Sequence, residues 1–423
     1  MKKDLSQIVE EVKKIVQGKM MQATKKDIVR LSDENFRKKV LIYTEETLVK
    51  LANKNKVDLS DGLKKETTDQ IVSELCGYGS LEQVLEDPYI TDIMVNSPSQ
   101  VFIEREGRAQ RLEINFKNEA EIKTIIERMM IGSSKRINQA SPFVDFRLDD
   151  GSRVTAVIPP VSKSPALCIR KFSEERFEPE DLVTLGTLDN KVLNFLRACI
   201  DSKINILITG STGAGKTTLL NVLANLVDSK ERIVVLEDTE ELSISESRHF
   251  LKLLTRPPSI EEKGEIGLDN LVRLSLHLRP DRIIIGEVRG EEAFYFLQAI
   301  NTGHEGSMCT LHAEHTEGAL SRLETLGLIA KSNMQLEASK RLVGMGIDLV
   351  IHLRRTSTGK RVINQISEVD HQDGKNLVKN IFLYKEEFEA GQEKSYFEFT
   401  GNTPGFIDKL ETRSGYSKDK LVK

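Results

Sequence analysis

Hydrophobic and polar positions alternate in three different ways along the chain. Over the first seventy residues the background is highly charged, and apolar positions recur at helical spacing. Leu5, Ile8, Val9, Val12, Ile15 and Val16 form one stripe. A stripe of this kind packs either inside a helical bundle or on a partner, and the pattern leaves both open. From residue 71 the pattern becomes mixed α/β. Ser80-Leu81-Glu82-Gln83 has the form of a helix-starting capping box. Residues 92–95 and 101–104 read as strands around the turn Ser97-Pro98-Ser99, and Ile122, Ile125, Ile126 and Met129 mark an amphipathic helix. Residues 144–148 and 154–158 flank Asp150-Gly151, a hairpin signal. Taken as a two-residue turn, it pairs Leu148 with Arg153 and sends Arg147 to the opposite face. Residues 173–182, rich in Glu with a Pro, read as a linker.

From residue 183 the order becomes helix, strand, glycine loop, helix, strand, which implies a parallel sheet covered by helices. The runs Ile206-Leu207-Ile208, Ile233-Val234-Val235-Leu236 and Ile283-Ile284-Ile285 are apolar throughout, as strands buried on both faces must be. Beyond Arg355 the chain is more polar and punctuated by glycine, and reads as a small β-rich appendage with a loosely held tail.

Composition narrows the picture further. At 423 residues, two or three domains are expected. Lys and Arg number 61 against 65 Asp and Glu, a formal net charge of −4, so no overall basic field favours nucleic acid. No run of eighteen apolar residues occurs, and no apolar signal core follows the basic start Met-Lys-Lys. Cys76, Cys168, Cys199 and Cys309 are scattered without a C-x-x-C pair, which suits a reducing compartment.

The chemistry centres on Gly210-Ser211-Thr212-Gly213-Ala214-Gly215-Lys216-Thr217-Thr218, a complete G-x-x-x-x-G-K-[ST] pattern between a buried-strand run and the helical repeat Leu219, Leu220, Leu223, Val227. Glycines let such a loop turn its N–H groups toward phosphate oxygens, and the helix N-terminus adds partial positive charge. Lys216 is expected to reach the β- and γ-phosphates, and Thr217 to hold Mg²⁺. The later strands end in acids, Glu237-Asp238 and Glu287. An acid there suits a base that orients water, or a Walker-B-like ligand of Mg²⁺ or its waters. His304 and His312 fit polar sensing of a γ-phosphate or a subunit contact. With Cys309 and His315 they match no standard zinc spacing.

These blocks, in this order, resemble the secretion ATPases of type II and type IV secretion and pilus systems. The P-loop is similar to their Walker A motif, and Leu236-Glu237-Asp238-Thr239-Glu240-Glu241-Leu242 to their Asp box. Leu278 to Gly290 is similar to their Walker B segment, and the stretch from Thr302 through His304 and His312 to their His box. Tyr78-Gly79, Thr91-Asp92-Ile93-Met94-Val95-Asn96, Asp150-Gly151-Ser152-Arg153, Ile169-Arg170-Lys171-Phe172 and Thr255-Arg256-Pro257-Pro258-Ser259-Ile260-Glu261 resemble the tight-adherence (Flp pilus) branch. His277, Phe146 and Glu314 depart from that branch's usual residues.

The resemblance implies an α/β fold in four parts: a helical region (1–70), a smaller N-terminal α/β, PAS-like domain (71–172), a linker (173–182) and a RecA-like P-loop ATPase domain with its C-terminal appendage (183–423). It further implies a hexamer with ATP and Mg²⁺ as cofactors, Glu237 as catalytic base and Glu287 as the Walker B acid. His304 and His312 would be nucleotide contacts, and Arg153 and Arg170 would reach the phosphates. The implied place is cytoplasmic, against an integral inner-membrane platform protein, with no direct nucleic acid contact. Three rival readings stay open. Asn55-Lys56-Val57-Asp58 matches the N-K-x-D guanine-specificity pattern, although in GTPases that element follows the P-loop. A conjugation motor shares the family. A nucleotide-sensing scaffold would bind ATP with little turnover.

Overall fold

The computed structural model describes residues 4–24, 34–105, 107–131, 133, 135–172, 177–256, 264–330, 334–389 and 392–422. The Pro257-Pro258-Ser259-Ile260-Glu261 stretch therefore lies outside the described residues. The chain divides into two compact units, residues 1–173 and residues 174–423.

The first unit opens with three helices, α1 (Leu5–Thr24), α2 (Glu34–Asn55) and α3 (Asp61–Cys76). The apolar stripe of α1 is spent internally: Ile8, Val12 and Val16 pack with Val40, Leu48 and Leu51 of α2 and Ile71, Val72 and Leu75 of α3. The N-K-x-D look-alike is a helix ending, with Lys56 at φ +59° and the Val57 N–H closing on the Ala52 carbonyl. Then come α4 (Glu82–Glu86), β1 (Ile90–Ser97), β2 (Gln100–Arg105), β3 (Arg108–Leu112), α5 (Glu119–Met129), β4 (Phe143–Arg147), β5 (Arg153–Val157) and β6 (Ala166–Arg170). The expected capping box is absent. Ser80 sits in a 3₁₀ turn, and the Glu82 carboxylate accepts from Arg37 at 2.5 Å.

The six strands form an antiparallel sheet in the order β3-β2-β1-β6-β5-β4. One face carries Ile93, Val95, Val101, Val144, Phe146, Val154, Ala156, Leu167 and Ile169 and packs on Ile122, Ile125, Ile126 and Met129 of α5. The other face holds the alternate residues. The hairpin register differs from the expectation. Arg147 lies opposite Arg153, because the turn has three residues, with the Gly151 N–H on the Leu148 carbonyl and Gly151 at φ +85°. Arg147 and Arg153 therefore share a face.

The second unit runs α6 (Pro179–Thr184), α7 (Asn190–Asp201), β7 (Ile206–Gly210), α8 (Lys216–Leu226), β8 (Ile233–Glu237), β9 (Phe250–Leu254), α9 (Leu268–Ser275), β10 (Arg282–Ile285), α10 (Glu292–Asn301) and β11 (Met308–His312). It continues through α11 (Thr316–Ala330), α12 (Leu336–Gly346), β12 (Leu349–Arg355), β13 (Arg361–Gln372), β14 (Lys375–Glu389), β15 (Gln392–Phe399), α13 (Ile407–Ser414) and α14 (Asp419–Val422). Part of the expected linker is in fact α6. Pro179 occupies its first turn, where a missing N–H costs nothing, and Asp181 caps the Glu178 N–H.

One sheet of nine strands, ordered β15-β14-β13-β12-β7-β11-β10-β8-β9, forms the centre, with β12 through β9 parallel. Apolar residues alternate between two cores. Ile206, Ile208, Ile233, Val235 and Ile284 face α7 and α8, while Leu207, Val234, Leu236, Ile283 and Ile285 face the layer α9 to α12. The stretch beyond Arg355 is β-rich as expected, but its tail is not loosely held. β13 to β15 extend the same sheet, and Leu410, Tyr416 and Leu421 of the tail are buried in the first core, where Phe195 meets both Phe382 and Tyr416 edge-on. Leu410→Ala should accordingly lower stability by about 2–5 kcal/mol in urea denaturation. A change within the surface range of about 0.5 kcal/mol would restore the loose tail.

Candidate active site

Parallel pairing brings the C-terminal ends of β7, β11, β10 and β8 to one edge of the sheet, where ligands of open α/β sheets bind. Gly210 lies opposite His312 on one side and Leu353 on the other. It sits at φ +152°, and a Cβ there would fall 2.4 Å from the Leu353 carbonyl oxygen, so only glycine can start the loop. Gly215, at φ +96°, turns the chain into α8. Between them Ser211, Thr212 and Gly213 form the exposed loop tip and Ala214 is buried.

Lys216 is the first residue of α8 and is only 7 % exposed. Its Nζ donates to the Gly210 and Ser211 carbonyls at 3.1 and 3.0 Å and lies 3.1 Å from His312 Nδ1. His312 Nε2 lies 3.1 Å from Glu287 Oε1, and Arg289 holds the other Glu287 oxygen. Burial lowers the Lys216 ammonium to about 8, against the pull of Glu287 and Glu241. Burial and the neighbouring Lys216 also lower His312, so the ring is neutral at pH 7. A neutral ring fits the chain of contacts: Nδ1 accepts from Lys216 and Nε2–H donates to Glu287. Burial pushes the Glu287 carboxyl up, but Arg289, His312 and Lys216 outweigh it, and the group titrates below the usual carboxylate range.

Glu237 ends β8 at this edge, as the sequence reading has it, but its carboxylate is buried. It is 2 % exposed, and its Oε1 accepts the Glu241 and Leu242 backbone N–H groups, both at 2.9 Å. Among the described residues its Oε2 has no hydrogen-bond partner, and Lys252 Nζ is 3.9 Å away. As the last residue of a strand buried on both faces, Glu237 turns inward and braces the loop that follows. That loop instead brings Glu241, an exposed carboxylate, to the Thr217 hydroxyl, which donates to Oε2 at 3.2 Å. Sequence reasoning missed Glu241; its position four residues beyond a strand-end acid is the available signal.

His304 lies apart from this cluster. It precedes β11, so it lies at the strand-start edge, and the strand, roughly 13 Å from Met308 to His312, stands between the two histidines. There its Nδ1 meets the Ala299 carbonyl at 3.1 Å and closes α10. The structure does not bring it to Lys216. Arg153 and Arg170 lie in the first unit on the open face of its sheet. Arg147, Arg153 and Arg170 are opposed residues of β4, β5 and β6.

Two further features were not legible. A cavity of about 210 Å³ beside the start of α8 is walled by Leu182, Leu185, Leu219 and Leu353, with Thr218 and Arg361 at its rim. Its size and apolar lining suit a planar ring rather than a whole nucleotide. Arg361, at the start of β13, donates to the Gly213 carbonyl at 2.9 Å and ties the loop to a distant strand.

The residues fit a magnesium–nucleotide. Thr217 offers a hydroxyl and Glu287 and Glu241 hard oxygens, and Mg²⁺ takes one or two protein ligands and completes its shell with phosphate and water. Among the described residues no group of three or more His, Cys, Asp or Glu could hold a metal alone, so His304, Cys309, His312 and His315 form no zinc site.

Residues 74–381 match the family model described as type II/IV secretion system protein. A putative conjugal transfer protein of Mycobacterium tuberculosis is 32 % identical over 310 residues, covering 72 % of this chain and 87 % of the relative. The conjugal transfer protein TrbB of Rhizobium radiobacter is 31 % identical over 316 residues, covering 74 % and 91 %. The crystal structure of the pilus retraction motor PilT with bound ADP superposes with a TM-score of 0.51 at 20 % identity, covering 71 % of this chain and 83 % of that one, a likeness of fold alone.

Burial raises the Glu237 carboxyl from 4.5 to about 7, outweighing its two backbone donors and Lys252. The folded protein then keeps a proton that the unfolded chain releases. This group's contribution to stability is full below pH 4.5 and is lost as pH rises toward 7, by up to about 3 kcal/mol. Urea midpoints at pH 5 and 7.5 should differ less for Glu237→Gln than for the wild type. Identical differences would show that Glu237 is not the buried titrating acid.

Proposed function

The chain belongs to the type II/IV secretion system protein family, and from that premise we propose that it is an ATP-hydrolysing motor working as a hexameric ring. The observation that carries the proposal is the convergence of Lys216, His312, Glu287, Thr217 and Glu241 on one P-loop. Phosphate oxygens would replace the Gly210 and Ser211 carbonyls as acceptors for Lys216 and keep its ammonium charged. Mg²⁺, held by Thr217 and Glu287 directly or through water, would neutralise charge on the β- and γ-phosphates. Glu241, exposed beside Thr217, would accept a proton from the attacking water or orient it. Glu237 holds the backbone from which Glu241 projects. The apolar cavity beside α8 would take the base. His312 would report the γ-phosphate to Glu287 and Lys216 through its two ring nitrogens.

The aligned Arg147, Arg153 and Arg170 support a role for the first unit as a cationic lid that closes over the phosphates, turning hydrolysis into motion. The motion would be passed to an integral inner-membrane platform protein, powering pilus assembly of the tight-adherence type or protein secretion. A second reading, a conjugation motor, is favoured by the names of the two relatives above. The net charge of −4 favours contact with protein rather than DNA. Filter binding at low salt separates the two, since phosphate-driven DNA binding is strongest there.

Three variants test the chemistry. Lys216→Ala should lose nucleotide binding. Glu241→Gln should lower kcat by about 10²–10⁴-fold, the usual worth of a general base, while Glu237→Gln, which keeps an acceptor for both N–H groups, should lose far less. Phosphate release at saturating ATP reads all three, and an unimpaired Glu241→Gln would sink the assignment. Light scattering with and without a nonhydrolysable ATP analogue tests the ring; a monomer under both conditions argues against it.

A further inference from the structure

The arginine face of the first unit poses an electrostatic problem within its own sheet. Arg147, Arg153 and Arg170 are opposed across three adjacent strands, so Arg153 has one arginine Cα roughly 5 Å away on each side. Like charges directly opposite one another destabilise a sheet. Two carboxylates on the same face relieve the repulsion. Asp145, two residues before Arg147 on β4, takes Arg153 with both oxygens: Nε donates at 3.0 and 3.1 Å and Nη2 at 2.5 Å. Thr155, its cross-strand neighbour, donates to the same carboxylate at 3.2 Å and fixes its orientation. Asp92, opposite Arg170, accepts from Arg170 Nε at 3.0 Å. Asp92 belongs to the Thr91-Asp92-Ile93-Met94-Val95-Asn96 motif, to which the nucleotide chemistry gives no role.

We infer that Asp145 and Asp92 are intramolecular stand-ins for phosphate, which hold Arg153 and Arg170 on their own sheet and must be displaced before the arginines can engage a nucleotide. The inference rests on the proposal that this face closes over the phosphates. The two-oxygen grip of Asp145 on Nε and Nη2 is the geometry in which a guanidinium recognises a phosphate, so the two ligands compete for one set of donors. A triphosphate carries more charge and more acceptor oxygens than one carboxylate, so it wins the exchange. The Arg153–Asp145 pair is also solvent-exposed, 43 % and 42 % for the two side chains, and exposed pairs are weak enough to open. The carboxylates therefore set how much nucleotide is needed for closure.

The test uses the full chain, with Asp145→Asn and Asp92→Asn, each checked for a single cooperative thermal unfolding transition, and a fluorescent nonhydrolysable ATP analogue. Each variant should bind the analogue about two- to fivefold more tightly, the range expected for removing one exposed ionic competitor, with a matching fall in KM for ATP. In an Arg153→Ala background, Asp145→Asn should give no gain. If Asp145→Asn binds the analogue no better, or worse, while Arg153→Ala weakens it, the carboxylates orient rather than compete and the inference is overturned with the lid intact. If Arg147→Ala, Arg153→Ala and Arg170→Ala all bind and hydrolyse like the wild type, the lid itself fails, and the inference with it.

Discussion

The parallel register of β7, β11, β10 and β8 is the constraint on which the site depends. Gly210 meets His312, and Ile285 meets both Cys309 and Leu236, so four loops leave the sheet from one edge. The register is held by the cores and not by the site. Every strand in this group is buried on both faces, with alternate residues committed to different helical layers. A slip of one residue would exchange the two sets and break packing on both sides at once. The polar groups at the edge can therefore be mutually repulsive, partly unsatisfied or exchangeable, because the fold does not rest on them.

Both units hold their cations on internal oxygens. Lys216 sits on the Gly210 and Ser211 carbonyls, and Arg153 sits on Asp145. A buried ammonium without a full counter-charge is costly, which is why Lys216 titrates near 8 despite two nearby acids. A polyanion arriving at such a place replaces weak acceptors with strong ones. On the reading proposed above, binding free energy would come from such an exchange of partners.

The sequence reads well where physics is local. The continuous apolar strands, the α5 stripe of Ile122, Ile125, Ile126 and Met129, and the glycine loop ahead of Lys216 all report burial or backbone geometry decided within a few residues. The α1 stripe was legible as a stripe, but only α2 and α3 show what it packs against. The reading fails where a side chain's direction is set by distant partners. Glu237 and Glu241 are four residues apart in one acidic loop, and only the fold turns one inward and the other toward Thr217. His304 and His312 look equivalent on paper, yet β11 separates them by its full length. Arg147 was assigned to the wrong face by a turn one residue shorter than the real one. The polar tail looked detached because its few anchors, Leu410, Tyr416 and Leu421, are spaced too widely to form a pattern.

At the strand-start edge the chemistry is the reverse. Arg282 is fully buried, its guanidinium shared among Glu231, the Ile200 carbonyl and the Gly306 carbonyl, while Lys203 also pairs with Glu231. Each of these groups would be stranded in a low-dielectric interior if the others moved, so the junction of α7, β8, β10 and β11 opens together or not at all. The sheet is thus clamped at one end and free to exchange partners at the other, as a lever is pinned at its fulcrum. A polyanion bound at the P-loop would therefore shift the loops above the sheet at less cost than it would shift this junction.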